Sequence, residues 1–102
     1  MDIKKMQRIV DKWVRSTSSG YWKPNNMMLR LVEEVGELAR EVNHRFGEKP
    51  TKPTDTKKEL GYEIADVLFT IICIANSLDI DLEEAFDHVI EKYEKRDKHR
   101  HQ

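Results

Sequence analysis

The stretch LVEEVGELARE at residues 31–41 decides the fold, because it carries two periodic patterns at once. Apolar residues around it recur at steps of three and four, which is the pattern of a helix with one buried face; they are Met28, Leu31, Val32, Val35, Leu38, Ala39 and Val42. Glu34, Glu37 and Glu41 recur at the same kind of step, so on a helix they form a second stripe directly beside the apolar one. Like charges at this spacing repel, and the acidic stripe therefore indicates that a cation binds there.

A second acidic line lies in the stretch ELGYEIAD at residues 59–66. Glu59, Glu63 and Asp66 are spaced four and three residues apart, so they share one side of a helix. Asp66 has apolar residues on both sides in the sequence. A carboxylate in such surroundings is paired, protonated or bound to a metal. We therefore expect Asp66 to belong to a site rather than to a solvated surface.

Length and composition limit the classes of protein to consider. The chain has 102 residues, which predicts one small domain, with residues 97–102 as a frayed tail. With 18 basic and 19 acidic residues the net charge is −1, so the composition does not favour binding to a nucleic acid polymer or to a membrane surface. The single cysteine, Cys73, excludes an internal disulfide. The apolar run at residues 64–75 is shorter than the roughly 20 residues that span a bilayer, so we expect a cytoplasmic protein.

The remaining patterns predict four helices and no strand. The first helix runs from an N-cap at Asp2 to Arg15, and the second runs from a cap at Asn25 or Asn26 to residues 43–46. The third helix runs from a capping box at residues 56–59 to Leu78, and the fourth runs from a cap at Asp81 to about Arg96. The apolar faces of the first and fourth helices are expected to be buried; their residues are Ile3, Met6, Ile9, Val10, Trp13 and Val14, and Leu82, Ala85, Phe86, Val89, Ile90 and Tyr93. The fold class is therefore all-α, a four-helix bundle-like arrangement.

Two facing acidic lines suit a magnesium site. Mg²⁺ prefers hard oxygen ligands and commonly binds a few carboxylates together with substrate phosphates, and Mn²⁺ is a substitute. The chain lacks the histidine and cysteine spacing of a zinc site, and its glycines form no phosphate-binding loop. The acidic residues expected to face solvent are Glu33, Glu48, Glu59 and Glu83. Those expected to form the site are Glu34, Glu37, Glu63 and Asp66.

At these residues the sequence resembles the MazG-type, all-α nucleoside triphosphate pyrophosphohydrolases. EVGE at residues 34–37, followed after 25 residues by EIAD at residues 63–66, resembles the ExxE…ExxD signature of that family. Longer and more specific matches occur at residues 31–39, 66–69 and 75–78. The stretches at residues 40–44 and 47–50 resemble the short, single-domain bacterial members. The resemblance extends over roughly residues 6–96.

The resemblance implies an enzyme that cleaves a nucleoside or deoxynucleoside triphosphate between its α- and β-phosphates. The products are a nucleoside monophosphate and pyrophosphate, and the cellular role is housekeeping of the nucleotide pool. Carried over by motif position, Glu34, Glu37, Glu63 and Asp66 hold Mg²⁺, and either Glu37 or Glu34 orients or deprotonates the attacking water. The resemblance also implies a tight homodimer, alone or paired into a tetramer.

The same resemblance implies substrate contacts outside the acidic lines. Asn76 matches a position near the substrate, although by helix angle it lies at the edge of the Asp66 line. Lys92 and Arg96 resemble a basic pair on the last helix that meets the phosphates, and an ordinary solvated face explains the pair equally well. Trp22 is a candidate to stack on the base, with an anchoring role in the core as the alternative.

Other functions fit parts of the sequence. Phosphoribosyl-ATP pyrophosphohydrolase shares the superfamily, but it usually has a histidine soon after the final aspartate, and this chain has none there. Glu41 and His44 form the Exx-His element of a di-iron bundle, which requires a second copy. Neither His88 nor His99 has a glutamate three residues before it. A non-catalytic helical interaction module is the last alternative, and it leaves Asp66 unexplained.

Overall fold

The computed structural model describes residues 1–47 and 57–100, and in this part of the chain it contains four helices and no strand. The helices are α1 (Ile3–Thr17), α2 (Pro24–Phe46), α3 (Lys57–Ser77) and α4 (Leu82–Arg100). The all-α prediction is therefore confirmed. Thr56, the first residue of the capping box predicted for the third helix, lies outside the described residues.

The ends of α1 follow from local hydrogen bonds. The Asp2 side chain caps the helix by accepting the backbone N–H of Lys5 at 2.7 Å, as predicted. The helix continues past its predicted end to Thr17. There the hydroxyl groups of Ser16 and Thr17 donate to the carbonyl oxygen of Trp13 at 2.9 and 2.7 Å, back-bonding that is compatible with helical geometry.

The start of α2 differs from the prediction of an asparagine cap. The helix begins at Pro24, with Lys23 as an N-cap that makes no side-chain capping hydrogen bond. Proline suits the first helical position, because its fixed φ angle is already helical and its missing N–H has no partner to lose there. The predicted C-terminus is confirmed, since α2 ends at Phe46 with Gly47 beyond it.

The limits of α4 confirm one prediction and correct another. Asp81 caps the helix, because its Oδ1 accepts the backbone N–H groups of Glu83 and Glu84 at 3.1 and 3.2 Å. The helix then runs to Arg100, past its predicted end near Arg96. The sequence from Leu82 to Arg100 contains no glycine or proline that would end a helix.

The core is small and lies where the first three helices meet. Its buried side chains are Val10, Val14, Met27, Ile72 and Cys73. α2 and α3 pack closely and run antiparallel, because Arg45 near the end of α2 lies 3.5 Å from Glu59 near the start of α3. α4 packs mainly against α1, and at its start Lys4 lies 3.7 Å from Asp81. The two acidic lines therefore face each other beside the core.

Most of the apolar side chains predicted to be buried are exposed in the single chain. They include Ile9, Trp13, Met28, Val32, Val35, Val42, Phe86, Val89, Ile90 and Tyr93. For one copy the prediction of buried faces on α2 and α4 is therefore largely wrong, whereas on α1 Val10 and Val14 are buried and Met6 packs against the core. The radius of gyration is 17.0 Å, whereas a compact chain of this length has a radius of about 13 Å. The helices spread apart, and a single copy has too little interior to cover them.

α3 is also long and apolar enough, by length and composition alone, to cross a membrane between Lys58 and Ser77. The segment from Lys58 to Ser77 is longer than the apolar run at residues 64–75, because it includes polar residues at both ends. The apolar central helix of a helical bundle passes the same test. α3 also carries Glu63 and Asp66 and packs along α2, which is the arrangement of a central helix.

Candidate metal centre

Three carboxylate groups meet where α2 and α3 pack together. Glu34, Glu37 and Glu63 each place one carboxylate oxygen within 4.8 Å of the others, and we call these three residues the acidic cluster. Glu34 and Glu37 lie on successive turns of α2, while Glu63 comes from α3. Glu34 is only 8 % exposed, Glu63 is half-buried and Glu37 is exposed. The structure thus brings together three of the four predicted ligands.

The structure does not bring Asp66, the fourth predicted ligand, into the acidic cluster. Asp66 is not among the three residues whose oxygens lie within 4.8 Å, but it shares the wall of a neighbouring cleft with Glu34. Asp66 is exposed in the single chain, and so are the adjacent apolar residues Ile64 and Leu68. The expectation that apolar neighbours enclose Asp66 is therefore wrong within one copy.

The chemistry of the acidic cluster fits a hard divalent cation. Mg²⁺ binds oxygen ligands at about 2.0–2.1 Å, so two ligands of one ion lie at most about 4.2 Å apart. The 4.8 Å limit of the cluster is only slightly wider than this. In the described residues no histidine or cysteine belongs to the cluster, which disfavours zinc. The residues present therefore fit Mg²⁺ or Mn²⁺.

One arginine already pairs with the acidic cluster. Arg30 lies one turn before Glu34 on α2, and its Nη2 is 2.9 Å from Glu34 Oε1. Over residues 1–47 and 57–100, the structure shows no ion pair for Glu37 or Glu63. The cluster therefore carries more negative charge than its neighbouring cations offset, as the sequence indicated.

The structure disfavours the di-iron alternative. Glu41 lies 3.5 Å from Arg45 Nη2, and the Nδ1 atom of His44 is buried without a hydrogen-bond partner. Neither Glu41 nor His44 joins a group of three metal-binding side chains in the described part of the chain. A di-iron site needs carboxylates and histidines that converge on one point.

The acidic residues assigned to solvent have different surroundings. Glu33 and Glu59 are exposed, as predicted, and Glu59 also pairs with Arg45. Glu83 is half-buried and lies 3.8 Å from Lys4, so its surroundings are not purely solvent. Glu48 lies outside the described residues.

A cleft of about 560 Å³ opens beside the acidic cluster, and we call it the aromatic cleft. Arg30, Glu34 and Asp66 form its charged edge. Its apolar wall includes Trp13, Tyr21, Trp22, Met27, Phe69 and Cys73. The rings of Trp13 and Phe69 meet edge to face, with centroids 5.8 Å apart. The carboxylates and a surface of aromatic rings therefore border one space.

The other predicted substrate residues lie in two places. Trp22 lines the aromatic cleft and is well exposed, which fits stacking better than an anchor in the core. Lys92 and Arg96 lie on the exposed half of α4, where the Arg96 guanidinium lies 4.8 Å from the centre of the Tyr93 ring. Neither basic residue lines the aromatic cleft of its own chain.

Asn76 has a different setting from the acidic cluster. Its Nδ2 donates to the Gln7 carbonyl oxygen and to the Tyr21 hydroxyl oxygen, both at 3.0 Å, and its Oδ1 accepts from Gln7 Nε2 at 2.8 Å. The Tyr21 hydroxyl in turn donates to Asp11 at 2.7 Å. Gln7 also joins α4, because its Oε1 accepts the Leu82 N–H at 3.0 Å. All the polar atoms of the Asn76 side chain are thus engaged in linking helices.

Replacing Tyr21 with phenylalanine is expected to lower the free energy of unfolding by about 1–2 kcal/mol, because Asn76 and Asp11 each lose a partner. Burial, with a further contribution from the Asp11 hydrogen bond, raises the pKa of Tyr21 to about 12. A raised pKa favours the protonated folded state. The stabilisation is therefore complete below pH 10, the ordinary tyrosine value, and is lost as the pH rises from 10 to about 12.

Urea unfolding of the wild type and the Tyr21→Phe variant across this alkaline range checks the prediction. Tyr62→Phe is the control, because Tyr62 is exposed and shows no side-chain hydrogen bond in the described structure. The prediction would be contradicted if the difference in the free energy of unfolding between the wild type and Tyr21→Phe stayed constant from about pH 9 to about pH 12.

Three features of the site were not predicted from the sequence. Trp13 was assigned to the core, yet it is exposed in the aromatic cleft. Arg30 was not singled out, although its position four residues before Glu34 is the spacing of a helical ion pair and signals the contact. Phe69 was seen only as part of an apolar run.

These features define a class of protein. It is an all-α protein in which carboxylates from two antiparallel helices lie beside a cleft with aromatic walls. Comparison with known proteins agrees. Residues 23–101 match the family model described as the MazG nucleotide pyrophosphohydrolase domain. The chain therefore belongs to the MazG nucleotide pyrophosphohydrolase family, whose enzymes hydrolyse phosphoanhydride bonds.

Two relatives from Bacillus subtilis are similar to most of this chain. The protein YpjD of Bacillus subtilis is 55 % identical over 98 residues, which cover 96 % of this chain and 88 % of YpjD. YvdC of the same organism is 36 % identical over 75 residues, covering 68 % of this chain and 71 % of YvdC.

Two crystal structures share the fold. That of YpjD from Bacillus subtilis superposes with a TM-score of 0.84 at 54 % identity, covering 91 % of this chain and 95 % of the other. The crystal structure of the Bacillus-conserved MazG protein, a nucleotide pyrophosphohydrolase, superposes with a TM-score of 0.80 at 46 % identity. The match covers 91 % of this chain and 90 % of the other.

Proposed function

We propose that this chain hydrolyses a nucleoside or deoxynucleoside triphosphate to the monophosphate and pyrophosphate, with Mg²⁺ held by Glu34, Glu37, Glu63 and Asp66. The observation that carries the proposal is the acidic cluster, in which three carboxylates from two helices lie within 4.8 Å of one another. A nucleotide has an anionic chain at one end and a flat base at the other. The acidic cluster with its cation suits the first, and the aromatic cleft suits the second.

Each part of the site has a distinct task in this proposal. When bound, Mg²⁺ polarises the phosphates and lowers the pKa of an attacking water. Glu34, Glu37, Glu63 and Asp66 fix the cation, and Glu37 or Glu34 orients the water or accepts its proton. The bond that breaks joins the attacked phosphorus to the oxygen that bridges the α- and β-phosphates. If water adds to the α-phosphorus, pyrophosphate leaves; if water adds to the β-phosphorus, the nucleoside monophosphate leaves and the water oxygen stays in pyrophosphate. Mn²⁺ supports the same chemistry, because it accepts the same oxygen ligands.

The side chains around the site favour direct attack by water over a covalent intermediate. Thr70, the hydroxyl residue that lies one turn from Asp66, is buried and donates to the Asp66 carbonyl oxygen at 3.1 Å. Burial raises the pKa of the Cys73 thiol, which keeps it protonated and weakly nucleophilic. In the described structure neither the acidic cluster nor the aromatic cleft contains a histidine to activate these groups.

The exposed rings of the aromatic cleft are the proposed base-binding surface. Trp22 is the proposed stacking residue, because it is the more exposed of the two tryptophans in the cleft. Asn76 was also carried over as a substrate contact. Its side chain donates a hydrogen bond to the Tyr21 hydroxyl oxygen, so any effect of Asn76 on the substrate acts through the Tyr21–Trp22 segment.

A second copy of the chain is the proposed cover for the exposed apolar faces, in a homodimer or a pair of dimers. Contact with the partner chain also explains why two glycines lie inside helices. Gly36 and Gly61 lie inside helices, where glycine costs about 1 kcal/mol relative to alanine. A Cβ at either position would meet no atom within 4 Å in the described chain, so no contact within one copy requires glycine. Lys92 and Arg96 then reach the phosphates only in the assembled protein.

An assay with a panel of canonical and modified triphosphates tests the proposed activity. Each triphosphate is incubated with Mg²⁺, and pyrophosphate and orthophosphate are measured separately. We expect pyrophosphate and nucleoside monophosphate in equal amounts. Release of orthophosphate with a nucleoside diphosphate would contradict the proposal. The pattern of preferred bases tests the role in nucleotide-pool housekeeping, which we place in the cytoplasm without a nucleic acid polymer or membrane as partner.

Mg²⁺ is expected to stabilise the fold, because only the folded chain assembles the acidic cluster. A ligand at about 100 times its dissociation constant adds roughly 2.7 kcal/mol to the free energy of unfolding. Thermal melting with and without Mg²⁺ measures the effect. Asp66→Asn is expected to melt at the same or a higher temperature without metal and to gain less from Mg²⁺. Equal metal-induced shifts in both proteins would remove Asp66 from the site.

A further inference from the structure

Arg30 occupies the border between the acidic cluster and the aromatic cleft. Its Nη2 lies 2.9 Å from Glu34 Oε1, and both side chains line the cleft. Glu34 is also a member of the acidic cluster. One carboxylate is thus shared between a side-chain cation and the proposed metal site. The Arg30 side chain is half-exposed, whereas that of Glu34 is nearly buried, so the arginine is the partner free to move.

From this sharing, and resting on the proposed function, we propose that Arg30 is a phosphate-binding residue that the metal sets free. Without metal, the guanidinium group neutralises Glu34. When Glu34 takes a divalent cation, the guanidinium group turns to the phosphate chain of the nucleotide. Arg30 thereby makes binding of the anionic substrate depend on prior binding of the metal.

The charges and the strength of the ion pair support this order. A half-exposed pair within one helix contributes only about 0.3–0.5 kcal/mol, so the metal displaces it at little cost. A doubly charged cation brought next to Glu34 repels Arg30 if the guanidinium group stays in place. Arginine binds phosphate through two parallel hydrogen bonds, and the freed group lies on the edge of the cleft that faces the acidic cluster.

Binding measurements on nucleotide-free protein test the first half of the proposal. Mn²⁺ alone is titrated into the wild type and into the Arg30→Met variant, which keeps the aliphatic stem and loses the charge. We expect the variant to bind Mn²⁺ about twofold more tightly, because Glu34 loses its competing cation. A residue with a purely structural role would leave Mn²⁺ affinity unchanged or weaken it.

Binding of inorganic pyrophosphate tests the second half. At saturating Mn²⁺ we expect pyrophosphate to bind Arg30→Met about tenfold more weakly than the wild type, and Arg30→Lys to be intermediate because lysine lacks the planar fork. Arg40→Met is the matched control. Arg40 is exposed on the same helix and shows no ion pair in the part of the chain that the structure describes, so both affinities should stay at the wild-type value.

The outcomes separate this proposal from the proposed function. Unchanged Mn²⁺ affinity in Arg30→Met overturns the proposal, and so does tighter Mn²⁺ binding with unchanged pyrophosphate affinity, since Arg30 would then only compete for Glu34. In both cases the wild type still binds metal and releases pyrophosphate from a triphosphate. A wild type that binds no Mn²⁺ overturns the proposed function itself.

Discussion

Glu37→Gln is expected to lower the rate of pyrophosphate release from a triphosphate by about a thousandfold or more, and to leave the fold intact. Glu37 belongs to the acidic cluster but is exposed, so replacing it with glutamine places no new polar group in the protein interior. Glutamine keeps the shape of glutamate and removes the charge that would hold the cation. Loss of about 4 kcal/mol of transition-state stabilisation corresponds to a thousandfold change in rate. Asp66→Asn is expected to have a similar effect by the same argument.

The control for this prediction is Glu33→Gln. Glu33 lies on the same helix, is exposed and is not a member of the acidic cluster, so its removal should leave the rate within about twofold of the wild type. Circular dichroism and melting temperature establish that each variant is folded. A Glu37→Gln protein that is folded and retains more than a tenth of the wild-type rate would exclude Glu37 from the metal site.

Isotope labelling identifies the bond that is broken. In ¹⁸O-water, attack at the α-phosphorus puts the label in the nucleoside monophosphate, and attack at the β-phosphorus puts it in pyrophosphate. Both outcomes agree with the proposed activity, because both release pyrophosphate. The carboxylates by themselves suit hydrolysis of either phosphoanhydride, so the site of cleavage rests on family membership.

Light scattering at micromolar concentration is expected to give a mass at least twice that of the 12.1 kDa chain. The single chain exposes 8321 Å², whereas a folded monomer of this mass exposes about 6,000 Å². The excess is larger than the roughly 800 Å² that each partner buries in a stable interface. Much of it is apolar, since α3 and α4 both leave large side chains exposed.

Ile90→Asp is expected to shift this equilibrium to the monomer. Ile90 lies on the exposed apolar face of α4, between Phe86 and Tyr93. A carboxylate buried without a partner costs several kcal/mol, which raises the dissociation constant by a hundredfold or more. The control is Glu91→Lys, because Glu91 lies on the opposite side of α4. The mass of this variant by light scattering should stay at the wild-type value. A wild-type mass of 12.1 kDa would mean that the chain covers these faces by itself.

Prediction from sequence succeeded where the decisive forces act within one helix. Asp2 and Asp81 were assigned as N-caps because a capping side chain reaches only the next turn, and both make those bonds. Pro24 shows the limit, since its fixed φ angle started the helix before the asparagines that were expected to cap it. Helical spacing also placed Glu34 and Glu37, two of the three members of the acidic cluster, on one side of α2.

Burial was predicted less well, because the same apolar periodicity serves the core of one chain and the contact between two. Val10 and Val14 are buried by α3, whereas Ile9 and Trp13 on the neighbouring side of α1 are not. Nothing in the order of residues distinguishes the two cases. The difference depends on which surfaces meet, and that is a property of the packed helices.

The sequence by itself determined the helices and the two acidic lines, because both depend on residue type and on a period of 3.6 residues. The class of enzyme followed from the resemblance of the sequence motifs to the MazG family. The tertiary structure decided what those residues face. It brought Glu63 to Glu34 and Glu37, opened the aromatic cleft beside them and tied Asn76 to Tyr21. It also placed Arg30 at the edge of that cleft. These relations join residues far apart in the chain, and only the packing of one helix against another sets such distances.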